Sequence, residues 1–411
     1  MTACERAEGR QLRMKRAVIM GSLVLDIAPA LRAKDYRAIT DIFVQGKVTE
    51  LSGVSFYMGG CVGNTGMALH KLGVDATLGC KVGRDFAGNA IELMLSRAGV
   101  PYELLHVDDA PTSVSIAITP PGIDKITLFL KGASQAYRAE DAQKVGPCDL
   151  FHFGYPVTMK DLYENHGEAL MRLMRDVHAR GITTSLDTAL PRPDSEHGQV
   201  DWRPILERTL PFVDIFVPSY EECLFMLDRE DYARRFRESS GRDMIGTLEP
   251  DEVRGIAATF LRMGAKIVLL KLGSRGLYLC TASADVLAGA RGLLPEVSAG
   301  WSDRELWITP DPVAHIVSTT GAGDVAIAGF LASLLHGTDA ALALRHAATA
   351  ASLCIQSSDT ISLLPDFAGL QARAAAIRRP EDARLTADGW RYDAAQQLYL
   401  GRRDREYADH T

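Results

Sequence analysis

The sequence predicts an α/β fold, a mostly parallel sheet covered by helices on both faces with a small β-sheet projecting from it. Three observations predict this. From Asp149 onward, strands alternate with helices of about ten residues or more, the rhythm of a covered parallel sheet. Two β-rich patches, within about 27–58 and 107–131, flank a β/α unit and read as the strands of a lid. The chain of 411 residues is 47% hydrophobic, ample for one large core, and carries neither an internal repeat nor a linker that would divide it.

In chain order, 1–15 read as a loose leader: Met1 to Arg16 is polar and basic with no apolar core, so it is not a signal peptide, and Met14 is a candidate start. Arg16 to Leu25 (RAVIMGSLVL) reads as one buried strand ending at Asp26. A carboxylate at the end of such a strand sits where ligands bind in open α/β sheets; a turn or cap is the plain alternative. Phe43-Val44 and Val54 to Tyr57 are short strand candidates. Gly59-Gly60-Cys61-Val62-Gly63-Asn64 leads into a helix, Thr65 to Leu72, that stops at Gly73. Ala76 to Val82 is a strand, followed by Gly83-Arg84-Asp85 and a helix to Ala98. Ser113 to Ile118 alternates, Pro120-Pro121-Gly122 turns and Lys125 to Leu130 returns, a hairpin.

Beyond Asp149 the strands are 149–153, 183–187, 213–217 and 266–272, and the helices 162–179, 202–209 and 252–263. Asp228 to Leu248 reads as a surface insertion, Ala282 to Ile308 as irregular, and Ala341 to Ile355 as an Ala-rich helix suited to close packing. The charged tail, 379–411, is expected to be ordered only by docking.

Composition excludes several functions. A net charge of −7 argues against a nucleic-acid or anionic-membrane surface. No apolar run reaches the ~18 residues of a membrane span. The seven cysteines are scattered without a C-x-x-C pair, and the ten histidines form no H-x-x-x-H, so a zinc site or disulfide framework is not indicated and the cytoplasm is expected.

The stretch that organises the chain is Ser318-Thr319-Thr320-Gly321-Ala322-Gly323-Asp324 ahead of the apolar run Val325 to Leu335. Glycines without a Cβ allow close backbone approach, and the unpaired N–H groups of a helix start attract an anion. A phosphate fits there, with Asp324 placed to accept a proton from whatever attacks it. Taken alone, the string is also how an ordinary helix begins. Gly59-Gly60 with Asn64 likewise suits a polyhydroxylated ligand or a plain N-cap.

The order of these segments resembles the ribokinase-like (PfkB) carbohydrate kinases. Gly59-Gly60…Asn64, Leu72-Gly73 and Gly79-Cys80-Lys81-Val82-Gly83-Arg84-Asp85…Gly88 are similar to that family's N-terminal signature. Thr319 to Asp324 resembles the more specific C-terminal one. Val213 to Pro218 with Glu221-Glu222 resembles the N-x-x-E segment, and Leu270-Lys271-Leu272-Gly273…Gly276 the glycine pair near the nucleotide. The likeness runs from about Arg16 to Leu364. It implies a Rossmann-like three-layer sandwich over 16–378, a β lid over a sugar, and transfer of the ATP γ-phosphoryl group to a hydroxyl. Carried over residue by residue, Asp324 is the base and the N–H groups of Gly321, Ala322 and Gly323 form the anion hole. Asp26, Gly59, Gly60 and Asn64 hold the sugar. Lys271, Gly273 and Gly276 border the nucleotide, and Glu222 organises the Mg²⁺ of Mg-ATP through water. The resemblance also implies a possible homodimer through the lid strands.

Two positions depart from the pattern. Ser318 stands where the family usually has an Asp that in many members joins a monovalent-cation site, and Ser219 where it usually has Asn. Neither removes the base or the anion hole. A nucleoside kinase of the same fold is the near alternative, with Phe43, Phe56, Tyr57 and Phe129 available to stack a base. A non-catalytic sugar-binding or regulatory relative is another, set against the intact Asp324 and glycines. A nicotinamide oxidoreductase is disfavoured because no G-x-G-x-x-G follows the first strand.

Overall fold

The structure is a computed structural model that describes residues 14–31, 38–119, 126–239 and 244–407. Most of the leader and the Pro120-Pro121-Gly122 turn lie outside the described residues.

The first half of the chain contributes β1 (Arg16–Gly21), β2 (Val24–Leu31), β3 (Leu51–Gly59), α1 (Met67–Lys71), β4 (Asp75–Gly83), α2 (Phe86–Ala98), β5 (Tyr102–Val107), β6 (Val114–Ile118) and β7 (Ile126–Leu130). Then follow β8 (Leu150–Gly154), α3 (Lys160–His178), β9 (Thr183–Asp187), α4 (Trp202–Thr209), β10 (Ile215–Phe216), α5 (Tyr220–Leu227), α6 (Arg229–Glu238), α7 (Pro250–Arg262) and β11 (Ile267–Lys271). The chain continues through β12 (Leu277–Thr281), α8 (Ala284–Ala288), α9 (Leu294–Trp301), β13 (Glu305–Ile308), α10 (Ala322–Leu335) and α11 (Ala340–Cys354) to β14 (Arg391–Asp393) and β15 (Leu398–Leu400).

Eleven strands form the central sheet in the order β14-β15-β13-β12-β11-β10-β9-β8-β1-β4-β5. Every neighbouring pair from β5 to β11 is parallel, and every pair from β11 to β14 is antiparallel. Alternate residues feed opposite faces, as the two-residue period of a strand requires. Ala17 and Ile19 pack with Ile267, Leu269 and the apolar sides of α1, α2, α10 and α11. Val18 and Met20 pack with Val268, Leu270, α3, α4, α5 and α7. The result is three layers, with α10 buried almost throughout and Gly329 letting it approach Ala350 of α11 closely.

The lid is a separate four-stranded sheet, β3-β2-β6-β7. Asp85 ties its root to the body: it caps α2 through Gly88 N–H (2.8 Å) and accepts from Thr112 N–H and Oγ1 (both 2.7 Å) just ahead of β6. In this chain the carboxylate of the Gly83-Arg84-Asp85 turn is therefore a structural clamp.

Three sequence expectations need correction. The run 16–25 is not one strand. Gly21 adopts φ +131, Ser22 bonds across to Gly154 O and Val62 N–H, and the chain leaves β1 for the lid strand β2. Asp26 therefore lies inside the lid, opposite Tyr57, rather than at the end of a central strand. Phe43-Val44 is not a strand; a single 3₁₀ turn, Ile39–Asp41, precedes it. The stretch 282–308 is regular, forming α8, α9 and β13, because Leu287, Leu294 and Trp301 reach the core from a weakly periodic sequence.

The tail docks. Strands β14 and β15 extend the sheet beyond β13, and the buried Arg304 guanidinium bonds Asp404 (2.9 Å) and Glu406 (2.8 Å). Among the described residues no helix is long and apolar enough to cross a membrane.

Candidate active site

The start of α10 is set by Gly321, the N-cap, at φ +78 and ψ −4. A side chain is disfavoured there, and an added Cβ would meet Thr360 Cγ2 at 2.6 Å. No side chain caps this helix, unlike α2, α4 and α5, so its dipole and leading N–H groups are directed at the site. Ala322 N–H reaches back to Thr319 O at 3.3 Å. Ser318 accepts from Thr320 N–H at 3.2 Å and so braces its own loop.

Asp324, in the first turn, is 5% exposed. Its Oδ2 accepts from Asn64 Nδ2 at 2.9 Å, and its Oδ1 accepts from the Tyr155 hydroxyl at 2.6 Å and from Thr65 Oγ1 at 3.3 Å. Asn64 and Thr65 belong to a π-helical turn, Val62–Gly66, that runs into α1, so Asn64 is not an N-cap. Its Oδ1 accepts from Thr360 Oγ1 at 3.5 Å, which fixes which face of the amide meets Asp324. Burial raises the Asp324 carboxyl above the usual carboxylate range, against the downward pull of the Tyr155 hydroxyl, Lys271, Asn64 and Thr65.

Beside it lies a second charged group. Lys271 Nζ is 2.6 Å from Asp187 Oδ1, and a Cβ on Gly323 would lie 3.8 Å from the same ammonium. Burial disfavours charge on Lys271, but Asp187, Glu222 and Asp324 outweigh it and hold the lysine protonated. Burial likewise pushes Asp187 up, against Lys271. Glu222 sits in the first turn of α5, where its Oε2 accepts from Ser219 N–H (2.9 Å) and Thr188 Oγ1 (2.6 Å). In return Ser219 Oγ accepts from Glu222 N–H at 3.4 Å, which makes a capping box. Both of these bonds to the Glu222 side chain fall on Oε2.

The remaining residues lie around this centre. Gly59 closes β3 against Asp26, whose carboxyl occupies the space a Cβ would need, and Gly60 (φ +76) lies against Ser22. Gly273 (φ +51) and Gly276 (φ +90) bracket the turn after β11; Gly276 abuts Ile308 and Thr309, where the chain leaves β13 toward α10. Among the described residues, no group of three or more His, Cys, Asp or Glu is placed to hold a metal ion.

An uncapped helix start facing a buried carboxylate, with a protonated lysine alongside, can seat a phosphoryl group and take a proton from an alcohol. The sequence model of the pfkB family carbohydrate kinases matches residues 23–366. The chain is a pfkB family carbohydrate kinase. A 2-dehydro-3-deoxygluconokinase from Bacillus subtilis is 25% identical over 332 residues, 78% of this chain and 87% of that protein. A ribokinase from Arabidopsis thaliana is 33% identical over 116 residues, 28% of this chain and 26% of its own length. Among solved structures, an Arabidopsis thaliana ribokinase complexed with ribose and ATP superposes with a TM-score of 0.61 at 20% identity, covering 88% of this chain and 98% of that one.

This carbohydrate kinase is therefore a phosphotransferase with an alcohol acceptor. Its centre includes residues that motif reading passed over: Tyr155, Thr65, Thr188 and Thr360. Asp187 was recognisable only as a strand-end acid. Gly154-Tyr155-Pro156 at the end of a buried strand was the available signal for Tyr155, since strand ends carry ligand sites in such sheets.

Proposed function

We propose that this kinase transfers the γ-phosphoryl group of ATP to a hydroxyl of a small sugar or sugar acid, with Asp324 as the base. The observation that carries the reading is the 2.9 Å bond from Asn64 Nδ2 to Asp324 Oδ2. It joins the segment suited to a polyhydroxylated ligand to the helix start suited to a phosphate. In this reading the N–H groups of Gly321, Ala322 and Gly323 form the anion hole, and Asp26, Gly59, Gly60 and Asn64 line the sugar site. Lys271, Gly273 and Gly276 border the nucleotide. Glu222, whose Oε1 takes no bond among the described residues, would organise the magnesium of Mg-ATP through water, and the bound ion would screen charge on the phosphates.

With Ser318 where the family usually has Asp, activation by a monovalent cation is left open. The edge strands β3 and β7 expose Val54, Phe56, Leu128 and Phe129, which favours a homodimer through the lid. The cytoplasm remains the expected location. A nucleoside acceptor is the second reading, favoured by the exposed lid aromatics Phe56 and Phe129.

The test is an ADP-release screen with Mg-ATP across ribose, fructose, 2-dehydro-3-deoxygluconate, polyols and nucleosides. A sugar or sugar acid is expected to give turnover, and Asp324→Asn to lower it by about 10²–10⁴, the usual span for a lost general base. Near-normal turnover in that variant would refute the assignment.

A further inference from the structure

Tyr155 occupies a conformation that its sequence context opposes. It lies in the left-handed region, at φ +68 and ψ +49. Bulky residues rarely adopt that region, and the residue before a proline, here Pro156, is biased toward extended backbone. Its surroundings over-determine the conformation. Tyr155 O accepts from Thr158 N–H (3.0 Å) and Thr158 Oγ1 (2.9 Å), and Tyr155 N–H reaches Asp187 O (3.4 Å). Gly154, just before it, lies against the Cys61 side chain, so the end of β8 cannot shift toward the π-helical turn. Strain of this kind persists where the geometry it enforces is used.

What it enforces is a contact across 169 residues: the phenol O–H donates to Asp324 Oδ1 at 2.6 Å. Thr65 Oγ1 lies on the same oxygen at 3.3 Å, while Oδ2 takes only Asn64 among the described bonds. The two carboxylate oxygens are therefore unequal.

We propose that Tyr155 is a positioning residue for phosphoryl transfer, its hydroxyl pinning the Oδ1 edge of Asp324 so that Oδ2, beside Asn64, takes the proton of the acceptor alcohol. In that step the alcohol O–H gives its proton to Oδ2. The electron pair left on the alcohol oxygen forms the bond to the γ-phosphorus, and the pair of the broken bridging P–O bond departs on ADP. This rests on Asp324 being the base. Among the described residues, the other ionisable groups facing Asp324 are Lys271 from β11, Asp187 from β9, Cys61 ahead of the π-helical turn and Cys354 from α11. None of them is changed when the phenol is replaced. A purely structural role, in which a buried hydroxyl merely finds an acceptor, shifts the carboxyl's midpoint as well when the phenol is replaced but leaves kcat unchanged.

The experiment needs no acceptor. The full chain is labelled with ¹³C-aspartate, the Asp324 carboxyl signal is assigned by its absence in Asp324→Asn, and it is titrated in the wild type and in Tyr155→Phe. Loss of the donor is expected to raise the midpoint by about one pH unit. Site-specific 3-fluorotyrosine at 155 keeps the packing but strengthens the donor, and is expected to lower the midpoint; it also covers a Phe variant that fails to fold. Unmoved midpoints would overturn the proposal. With the acceptor in hand, Tyr155→Phe is expected to reduce kcat on the order of tenfold with the KM for ATP unchanged. Full turnover in Asp324→Asn would instead sink the base assignment while leaving the titration result standing.

Discussion

The ammonium of Lys271, at the end of β11, lies 2.6 Å from Asp187 Oδ1 at the end of β9; the Asp187 side chain is buried and that of Lys271 mostly so. The second oxygen of Asp187 is buried without a hydrogen-bond partner among the described residues. Three carboxylates, those of Asp187, Glu222 and Asp324, act on this one cation. Lys271 is thus held beside Gly323, at the start of α10, by an internal carboxyl partner.

Lys271→Met leaves the Asp187 carboxyl buried without its cation, and burial, which already pushes that carboxyl up, then drives it to take a proton. The variant is expected to lose about 1–3 kcal/mol of stability in chemical denaturation, the usual cost of leaving a buried polar group unsatisfied. The double variant Lys271→Met/Asp187→Leu is expected to recover most of that stability but little of the turnover. Full activity in the double variant would show that the lysine serves the fold alone.

In the proposed reading Asp324 is the base and must be deprotonated to work, and burial holds its carboxyl above its ordinary value. Activity is therefore expected to fall as pH drops through that raised value, placing the acid limb of kcat/KM above the ordinary Asp pKa of about 3.9. The sign for stability is opposite to that of an ion-paired carboxylate. A folded-state value above the unfolded one makes ionised Asp324 a cost to the fold, present at neutral pH and relieved as pH falls through the folded value. A pH–rate profile whose acid limb lies at or below about 3.9 would contradict this electrostatic picture.

Gly59 is small because Asp26 fills the space beside it. Gly59→Ala is expected to displace that carboxyl and raise the KM for the sugar roughly tenfold, since a hydrogen bond to a charged group contributes about 1.5–3 kcal/mol. The KM for ATP is expected to stay put. Equal weakening of both substrates in steady-state kinetics would place the defect in the lid hinge instead of the sugar site.

Much of this was legible without coordinates where the signal is local. The β/α rhythm after Asp149 returned β9 and α4 at their observed bounds, because a buried strand and an amphipathic helix each write their own period into neighbouring residues. The same reading failed at 16–25, where two apolar strands are joined by Gly21-Ser22-Leu23 without a polar turn. It failed again at 282–308, where burial of a few large side chains does what periodicity did not announce.

By itself the sequence determined the fold class, the helix start at Gly321 to Asp324 and the glycines that bring the backbone close, since each depends on residues a few positions apart. Only the tertiary structure decided what meets Asp324. Its contacts to Tyr155 and Asn64 span 169 and 260 residues, and the Lys271–Asp187 pair spans 84. Such pairs are set by which strand ends the parallel sheet brings side by side, and no local pattern encodes that neighbourhood. The unequal oxygens of the carboxylate follow from it.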